Sequence, residues 1–258
     1  MKITKEEYES LEKLFDSRTA EFRRKGNFLL KEYFYLDYLL KGKFDYLLRF
    51  PHIEGSGELI DEFFINNNYK GIVVNEFKDA VPFSIASDFS IEEKVKACID
   101  IFRQLSILHS YGMCFNDIHS DNFLIDKDGG HLIDFDEIDY FGGSSHSYKY
   151  RLAGSDGNTF FSSVEVDLYK SLICYFDLFY DINFEEKLAV GSIIDISKVS
   201  LLFEGTSISQ LVDYTTRIMF SDDTEYFPDI KDFIPFILDV ERYNYDLKKI
   251  KEKLKVLR

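Results

Sequence analysis

CFNDIHSDNFLID, residues 114–126, crowds five polar groups, Asn116, Asp117, His119, Asp121 and Asn122, between two apolar stretches. The helix-like run ahead of it carries Leu105, Leu108 and LHSYG; the strand-like run behind it is Phe123-Leu124-Ile125. Such groups bind protons, metal ions or phosphate. Apolar flanks of this kind hold a loop rigid, so the stretch reads as a built site.

Working upstream, Ser90 and Glu93 form a capping box, and Ile91, Val95, Cys98, Ile101, Phe102, Leu105 and Leu108 recur every three or four residues. The spacing predicts one helix over 91–110, stopped near Gly112. Downstream, an Asp128-Gly129-Gly130 turn leads to a short strand, HLIDFD (131–136). Nearer the start, Thr4 to Glu7 reads as a capping box for a short helix with Tyr8, Leu11, Leu14 and Phe15 on one stripe. Residues 17–33 read as two strands around Lys25-Gly26-Asn27, and residues 36–50, ending at Pro51, have a helical period. IEGSGELIDEFFI and YKGIVVNEF read as two more strands around an Asn turn. Beyond a polar segment from Gly142 to Ser163, where Ser144, Ser145, Ser147, Ser155 and Thr159 are open to phosphorylation, everything looks helical, over 165–180, 207–220, 228–240 and 241–257. Strands first and helices afterwards suggest two lobes of different class.

The composition fits. The chain has 258 residues, 45% hydrophobic and 17% aromatic, with 26 Phe and no Trp, which is enough for a core in one large domain or two lobes. Four Pro and 14 Gly argue against low complexity. A net charge of −15 disfavours nucleic acid or an anionic membrane as the main partner. Cys98, Cys114 and Cys174 show no paired spacing, which suits a reducing compartment. The opening MKITKEEYES has no apolar signal segment, and no apolar run approaches the ~20 residues of a membrane span. A cytoplasmic protein without a transmembrane segment is expected; secretion without a cleaved signal stays open.

Asp117 and Asn122 lie five apart on a loop, and Asp134 lies 12 beyond Asn122 across a hairpin that can return it to the same mouth. A carboxylate and an amide there offer oxygen ligands suited to Mg2+, leaving Asp117 to accept a hydroxyl proton. These residues carry a resemblance. LHSYGMCFNDIHSDNFLID…HLIDFD is similar to the catalytic loop and metal-binding strand of the protein-kinase-like superfamily, whose loop reads H-R-D-L-x-x-x-N, followed by D-F-G. Phe115 and Asn116 replace His-Arg, Asp117 matches the catalytic Asp, Asn122 the Mg2+-binding Asn, and Asp134-Phe135-Asp136 stands for D-F-G. GIVVNEF resembles the strand into the hinge, where Glu76, Phe77 and Lys78 would offer backbone groups to adenine. Lys31 resembles the lysine on the α- and β-phosphates, and Asp167, in SVEVDLYKSL, would brace the catalytic-loop backbone. The likeness covers roughly residues 17–180 and is densest in 105–136.

The sequence also departs from the pattern. LFDSRTAEFRR, ahead of Lys31, contains no Gly, so the phosphate cradle is weak or differently built. The acid expected to pair with Lys31 is not evident: Lys41 sits near its place, with Asp37 and Asp45 one turn to either side. FFSSVEV stands where Ala-Pro-Glu is usual. His119 and D-F-D look more like the aminoglycoside and choline phosphotransferases, and LIDFD also resembles sugar kinases.

The resemblance implies an α+β, two-lobed protein-kinase-like fold: a small antiparallel β-sheet lobe with one helix and a preceding helix (1–78), and a mainly helical lobe (79–258). It implies transfer of the γ-phosphate of Mg-ATP to a hydroxyl. Asn122 and Asp134 would hold Mg2+, Asp136 would assist a second metal, Lys31 would bind phosphate, Asp117 would take the proton, and His119 would touch the γ-phosphate. A Ser/Thr protein kinase with a protein acceptor is the first reading. A small-molecule or sugar kinase and a pseudokinase binding module are the alternatives. On the C-terminal helix, Val240, Tyr243, Leu247, Ile250, Leu254 and Leu257 form a stripe among Lys248, Lys249, Lys251, Lys253, Lys255 and Arg258. That stripe either packs on its own lobe or docks a partner.

Overall fold

The computed structural model describes residues 1–36, 38–142, 151–153, 162–190, 193–220 and 226–256. They are mixed α+β and divide into two units, Met1–Asp79 and Ala80–Arg258. Asp37, and the five candidate phosphorylation sites Ser144, Ser145, Ser147, Ser155 and Thr159, lie outside the described residues.

The first unit is built on a sheet with strand order β1-β5-β6-β4-β3-β2. Its members are β1 (Lys2–Ile3), β2 (Glu12–Asp16), β3 (Ala20–Lys25), β4 (Phe28–Tyr33), β5 (Leu59–Ile65) and β6 (Asn68–Asn75). Helices α1 (Lys5–Ser10) and α2 (Tyr38–Leu47) belong to it. The predicted hairpins are present. Gly26 turns between β3 and β4 at φ +67°, and Asn66 and Asn67, both at positive φ, turn between β5 and β6, which matches the twist of the flanking strands. Side chains alternate across β4. Leu30 packs with Ile3, Tyr8, Phe63, Ile65 and Val73 on one face, so Lys31 belongs to the opposite face.

Two readings need correction here. The helix over Tyr8, Leu11, Leu14 and Phe15 stops at Ser10, and Leu14 and Phe15 lie in β2. Phe15 pairs across the ladder with Phe22, ring centroids 4.5 Å apart, and that cross-strand contact overrides the short helical period. The sheet is not wholly antiparallel, because β1 joins β5 in parallel. Tyr8 of α1 packs into the sheet core.

The second unit is mainly helical. Its scaffold is α3 (Ile91–Ser110) and α4 (Val164–Tyr180), the latter buried over most of its length. The predicted capping box of α3 is formed by Ser90 and Glu93. After them come α5 (Phe184–Lys187), α6 (Ile196–Phe203), α7 (Ser209–Ile218), α8 (Ile230–Ile237) and α9 (Val240–Leu254). Phenylalanines knit these helices: Phe176 lies 4.6 Å from Phe203 and 5.2 Å from Phe233 between ring centroids. Each fully buried Phe stabilises by about 1.5–3 kcal/mol. Short strands also occur: β7 (Val81–Pro82), β8 (Met113–Cys114), β9 (Phe123–Asp126), β10 (Gly129–Leu132) and β11 (Asp139–Tyr140). The wholly helical expectation beyond residue 163 fails at β13 (Ala189–Val190) and β14 (Ile193–Asp195). These form a small sheet with β12 (Arg151–Ala153), a long-range pairing that local periodicity does not report.

The stripe on α9 faces its own unit. Ile250 is fully buried, Tyr180 and Tyr243 stack at 5.5 Å, and Asp246 accepts from the Ser207 N–H at 2.7 Å. Val240, at its start, is exposed. Among the described residues no helix is long and apolar enough to cross a membrane.

Candidate functional site

Helix α3 ends at Ser110 with Tyr111 as its cap, and β8 pairs antiparallel with β11 through Cys114 and Asp139. The loop from Phe115 to Asn122 starts there. Its first residues are pinned from α4. The Asp167 carboxylate is fully buried and accepts from the backbone N–H of Phe115 at 2.6 Å and of Asn116 at 3.1 Å. His109 Nε2 lies 3.0 Å from the same carboxylate. Asp167 thus braces the loop backbone. One helical turn on, Lys170 is 1% exposed and donates to the Asn116 carbonyl at 2.9 Å. Burial pushes the Lys170 ammonium down from its ordinary value, and the carboxylates of Asp167 and Asp117 push it back. Asn116 itself sits in the left-handed region at φ +66°, and its side-chain amide donates to the Glu137 carbonyl at 3.0 Å.

The polar residues converge at the next turn. The Asn122 NH2 donates to the Asp117 carbonyl at 2.8 Å and to Asp117 Oδ2 at 3.1 Å. That leaves Oδ1 as the atom Asn122 can offer a cation. His119 Nε2 lies 3.6 Å from Asp117 Oδ2, and His119 Nδ1 accepts from the Asp121 N–H at 3.3 Å. In a neutral ring the proton is therefore on Nε2, facing Asp117. The Asp117 side chain keeps 21% of its surface accessible, so an incoming group can reach it.

The hairpin of β9 and β10 carries the second half of the site. Asp126 Oδ1 closes its turn by accepting from Asp128 and Gly129 at 2.7 and 3.0 Å. Gln104, buried on α3, donates to the Gly130 carbonyl at 2.8 Å and accepts from the Leu132 N–H at 2.7 Å. A Cβ on Gly130 would meet the Ala97 carbonyl oxygen at 2.1 Å, so glycine is what lets the strand lie on the helix. The Ile133 N–H donates to the Asn122 carbonyl at 3.0 Å, which puts Asp134 next in chain to a residue bonded to the loop. Asp134 is left-handed, at φ +69° and ψ +67°, a conformation costing about 1 kcal/mol or more for a non-glycine residue. Phe135 then packs edge-on against Phe115 with centroids 5.4 Å apart, closing the circuit. Asp136 follows in a short 3-10 turn with one carboxylate oxygen buried. Asn122, Asp134 and Asp136 are all oxygen donors of the kind Mg2+ prefers, and it needs few protein ligands. Among the described residues, no three or more His, Cys, Asp or Glu side chains gather as a cage for a metal ion. Nearby Cys114 is no candidate nucleophile, because burial holds its thiol well above the usual range.

The other predicted residues lie in the first unit. Lys31 is 4% exposed, with its ammonium 5.5 Å from the Phe22 ring centroid and 5.2 Å from that of Tyr33. Gly71 lets β6 pass close beside it: a Cβ there would meet the Lys31 carbonyl oxygen at 1.9 Å. Asp45, one candidate acid, pairs with Lys41 at 3.0 Å, and Lys41 also pairs with Glu62 at 3.1 Å. Glu76 follows β6; its carboxylate takes Arg24 Nε at 2.7 and 2.8 Å, and its N–H donates to the Asn27 carbonyl at 3.1 Å. Phe77 is half-buried and Lys78 exposed. In the turn between β2 and β3, Ser17 Oγ accepts from the N–H of Thr19 at 3.3 Å and of Ala20 at 3.0 Å. Those backbone donors are spent within the turn.

Sequence reasoning missed Lys170 and Gln104. A lysine three residues after Asp167 shares its helix face, and that spacing was the available signal.

The described residues form a mixed α+β protein. No protein-family model matches the chain. Serine/threonine-protein kinase csk1 of Schizosaccharomyces pombe is 32% identical over 87 residues, which is 33% of this chain and 28% of that kinase. The match supports a kinase-like relationship for that part of the chain.

Proposed function

We propose that the chain is an ATP-dependent phosphotransferase acting on a hydroxyl, with a protein serine or threonine as the first choice of acceptor. The observation that carries this is the Asn122 amide. Asp117 holds its NH2, so its oxygen is the end offered to a metal ion, while the same Asp117 carboxylate remains accessible to an acceptor. In the proposed reaction the acceptor oxygen bonds to the γ-phosphorus, the bond from that phosphorus to the β–γ bridging oxygen breaks, and ADP leaves with the electron pair. Asp117 orients the acceptor hydroxyl and takes its proton. His119 has Nε2 3.6 Å from Asp117 Oδ2, and its role on the γ-phosphate rests on the sequence resemblance. Asn122 and Asp134 would hold Mg2+, with Asp136 assisting a second ion; Mg2+, when bound, neutralises charge on the phosphate oxygens. Rate enhancement comes chiefly from positioning and charge stabilisation. The roles of Lys31 on the phosphates and of the Glu76, Phe77 and Lys78 backbone on adenine rest on the sequence resemblance.

One observation favours a second reading, a binding module without turnover. The Ser17 turn consumes N–H groups that a glycine-rich cradle would present to phosphate. Thermal unfolding with ATP, with and without Mg2+, on the wild type and Asp134→Asn tests both. Ligand at 100 times its dissociation constant should add about 2.7 kcal/mol. A Mg2+-dependent rise lost in Asp134→Asn is the expected result; no rise in either protein sinks the nucleotide site.

A further inference from the structure

We propose that Lys170 is a positioning residue for Asp117: its ammonium holds the Asn116 carbonyl and so keeps the peptide leading into Asp117 in its left-handed turn. This rests on the reading of Asp117 as the proton acceptor.

Three observations carry it. First, the peptide between Asn116 and Asp117 is fixed at both ends. Its carbonyl accepts from Lys170 Nζ at 2.9 Å, and its N–H donates to the Phe115 carbonyl at 2.8 Å. Second, the Asn116 backbone is left-handed at φ +66°. Such a backbone persists where its surroundings over-determine it, and here Asp167 holds one side of the residue while Lys170 holds the other. Third, a lysine that is 1% exposed is costly to bury, and cores keep such a group when its charge is compensated and its donors used. Lys170 meets a carbonyl of the very turn that sets Asp117, on the same helix face as Asp167.

Without Lys170 the Asn116 carbonyl is left buried and without its donor. Rotation of the peptide would relieve it, and that rotation carries the Asp117 side chain away from the acceptor. Asn122 keeps the bond from its NH2 to the Asp117 carbonyl, which belongs to the following peptide, and Asp134 stands beyond the hairpin of β9 and β10, so the nucleotide-binding groups stay in place. The expected signature is therefore lost turnover with nucleotide affinity retained. A lysine that merely stabilises the helix gives the opposite pattern, a lower Tm with normal turnover in the folded protein.

The test uses the full chain with Lys170→Met, which keeps length and removes donor and charge, and Lys170→Gln, which keeps a neutral donor. Turnover of Mg-ATP to ADP with water as acceptor is measured well below each Tm. A displacement near 1 Å can cost about 10²-fold. Lys170→Met should lose at least roughly tenfold in kcat with KM for ATP within about twofold, and Lys170→Gln should regain part of it. Turnover by Lys170→Met within about twofold of wild type overturns the proposal. Amide hydrogen exchange at Asn116 and Asp117 gives a reading independent of activity. Exchange there should quicken in Lys170→Met relative to the amides of α4; unchanged exchange overturns the proposal. A wild type that binds ATP but never turns it over would sink the phosphotransfer reading, and the exchange result would still decide the role of Lys170.

Discussion

The loop at Asp117 and the turn at Ser17 solve the same problem in opposite ways. Each must hold an irregular backbone in place. The loop is held from outside, by a buried carboxylate and a buried ammonium on α4, by Glu137 and by the packing of Phe115 on Phe135. The turn is held from within, by one hydroxyl three residues from its furthest partner. External bracing places buried charges where their loss leaves several groups unsatisfied. Local bracing is cheap, and its loss is answered by water. The two regions should therefore fail at very different scales.

The largest effect expected at the loop is chemical. Asp117→Asn keeps the shape of the side chain and removes the proton acceptor. Turnover should fall by roughly 10²–10⁴ while the Mg-ATP thermal shift persists. Steady-state kinetics with unchanged turnover would remove Asp117 from the role of base. Next comes the brace. Asp167→Asn presents an NH2 where the site supplies N–H donors, and it removes one of the two carboxylates that offset the buried charge of Lys170. Leaving buried N–H donors unsatisfied costs about 1–3 kcal/mol, and more where a charged group is involved. Urea unfolding should show that loss, and a change below about 1 kcal/mol, the scale of a surface ion pair, would mean the brace is ornamental.

Third is the strand that delivers Asp134. Gly130→Ala pushes a methyl group against the Ala97 carbonyl oxygen, with 2.1 Å between them before anything moves. Both sides of that clash are backbone, so relief means shifting β10 from α3. Overpacking of this kind costs about 1–3 kcal/mol. The Mg2+-dependent part of the ATP shift should shrink as well, since Ile133 and Asp134 move with the strand. A stable Gly130→Ala with a full Mg2+ response would show that Asp134 is placed by something other than this contact.

The same contrast explains what could be read in advance. Local rules were legible: Ser90 and Glu93 announced the start of α3, Gly26 and the Asn66-Asn67 pair announced hairpin turns, and all are found. The loop's residue types and spacing also pointed to one mouth; the structure bonds Asn122 to Asp117, brings His119 Nε2 to 3.6 Å from Asp117, and puts Asp134 next in chain to Ile133, which is bonded to Asn122. What the chain did not disclose depends on partners distant in sequence. Leu14 and Phe15 fit a helix stripe as well as a strand until Phe22 is across from them. The strands Ala189–Val190 and Ile193–Asp195 are too short to show a period. Lys170 looks like any solvent-facing lysine until helix α4 is buried over most of its length. Gln104 likewise looks like surface on α3, and it makes two of the bonds that tie the helix to β10.

The smallest effect belongs to the self-held turn, and it is the one that speaks to nucleotide binding. Ser17→Ala removes a single hydroxyl that serves the N–H groups of Thr19 and Ala20. The Ser17 N–H still donates to the Ala20 carbonyl at 2.8 Å, so the turn keeps its closing bond. A lost neutral hydrogen bond with water as substitute is worth about 0.5–1.5 kcal/mol. At roughly 2–4 °C per kcal/mol for a chain of this size, Tm should fall by a few degrees. The ATP response is the sharper readout. If the hydroxyl withholds these donors from phosphate, freeing them enlarges the ATP-induced shift in Ser17→Ala. An unchanged shift would mean that this turn takes no part in holding phosphate, and that whatever phosphate grip the chain has is built on other groups.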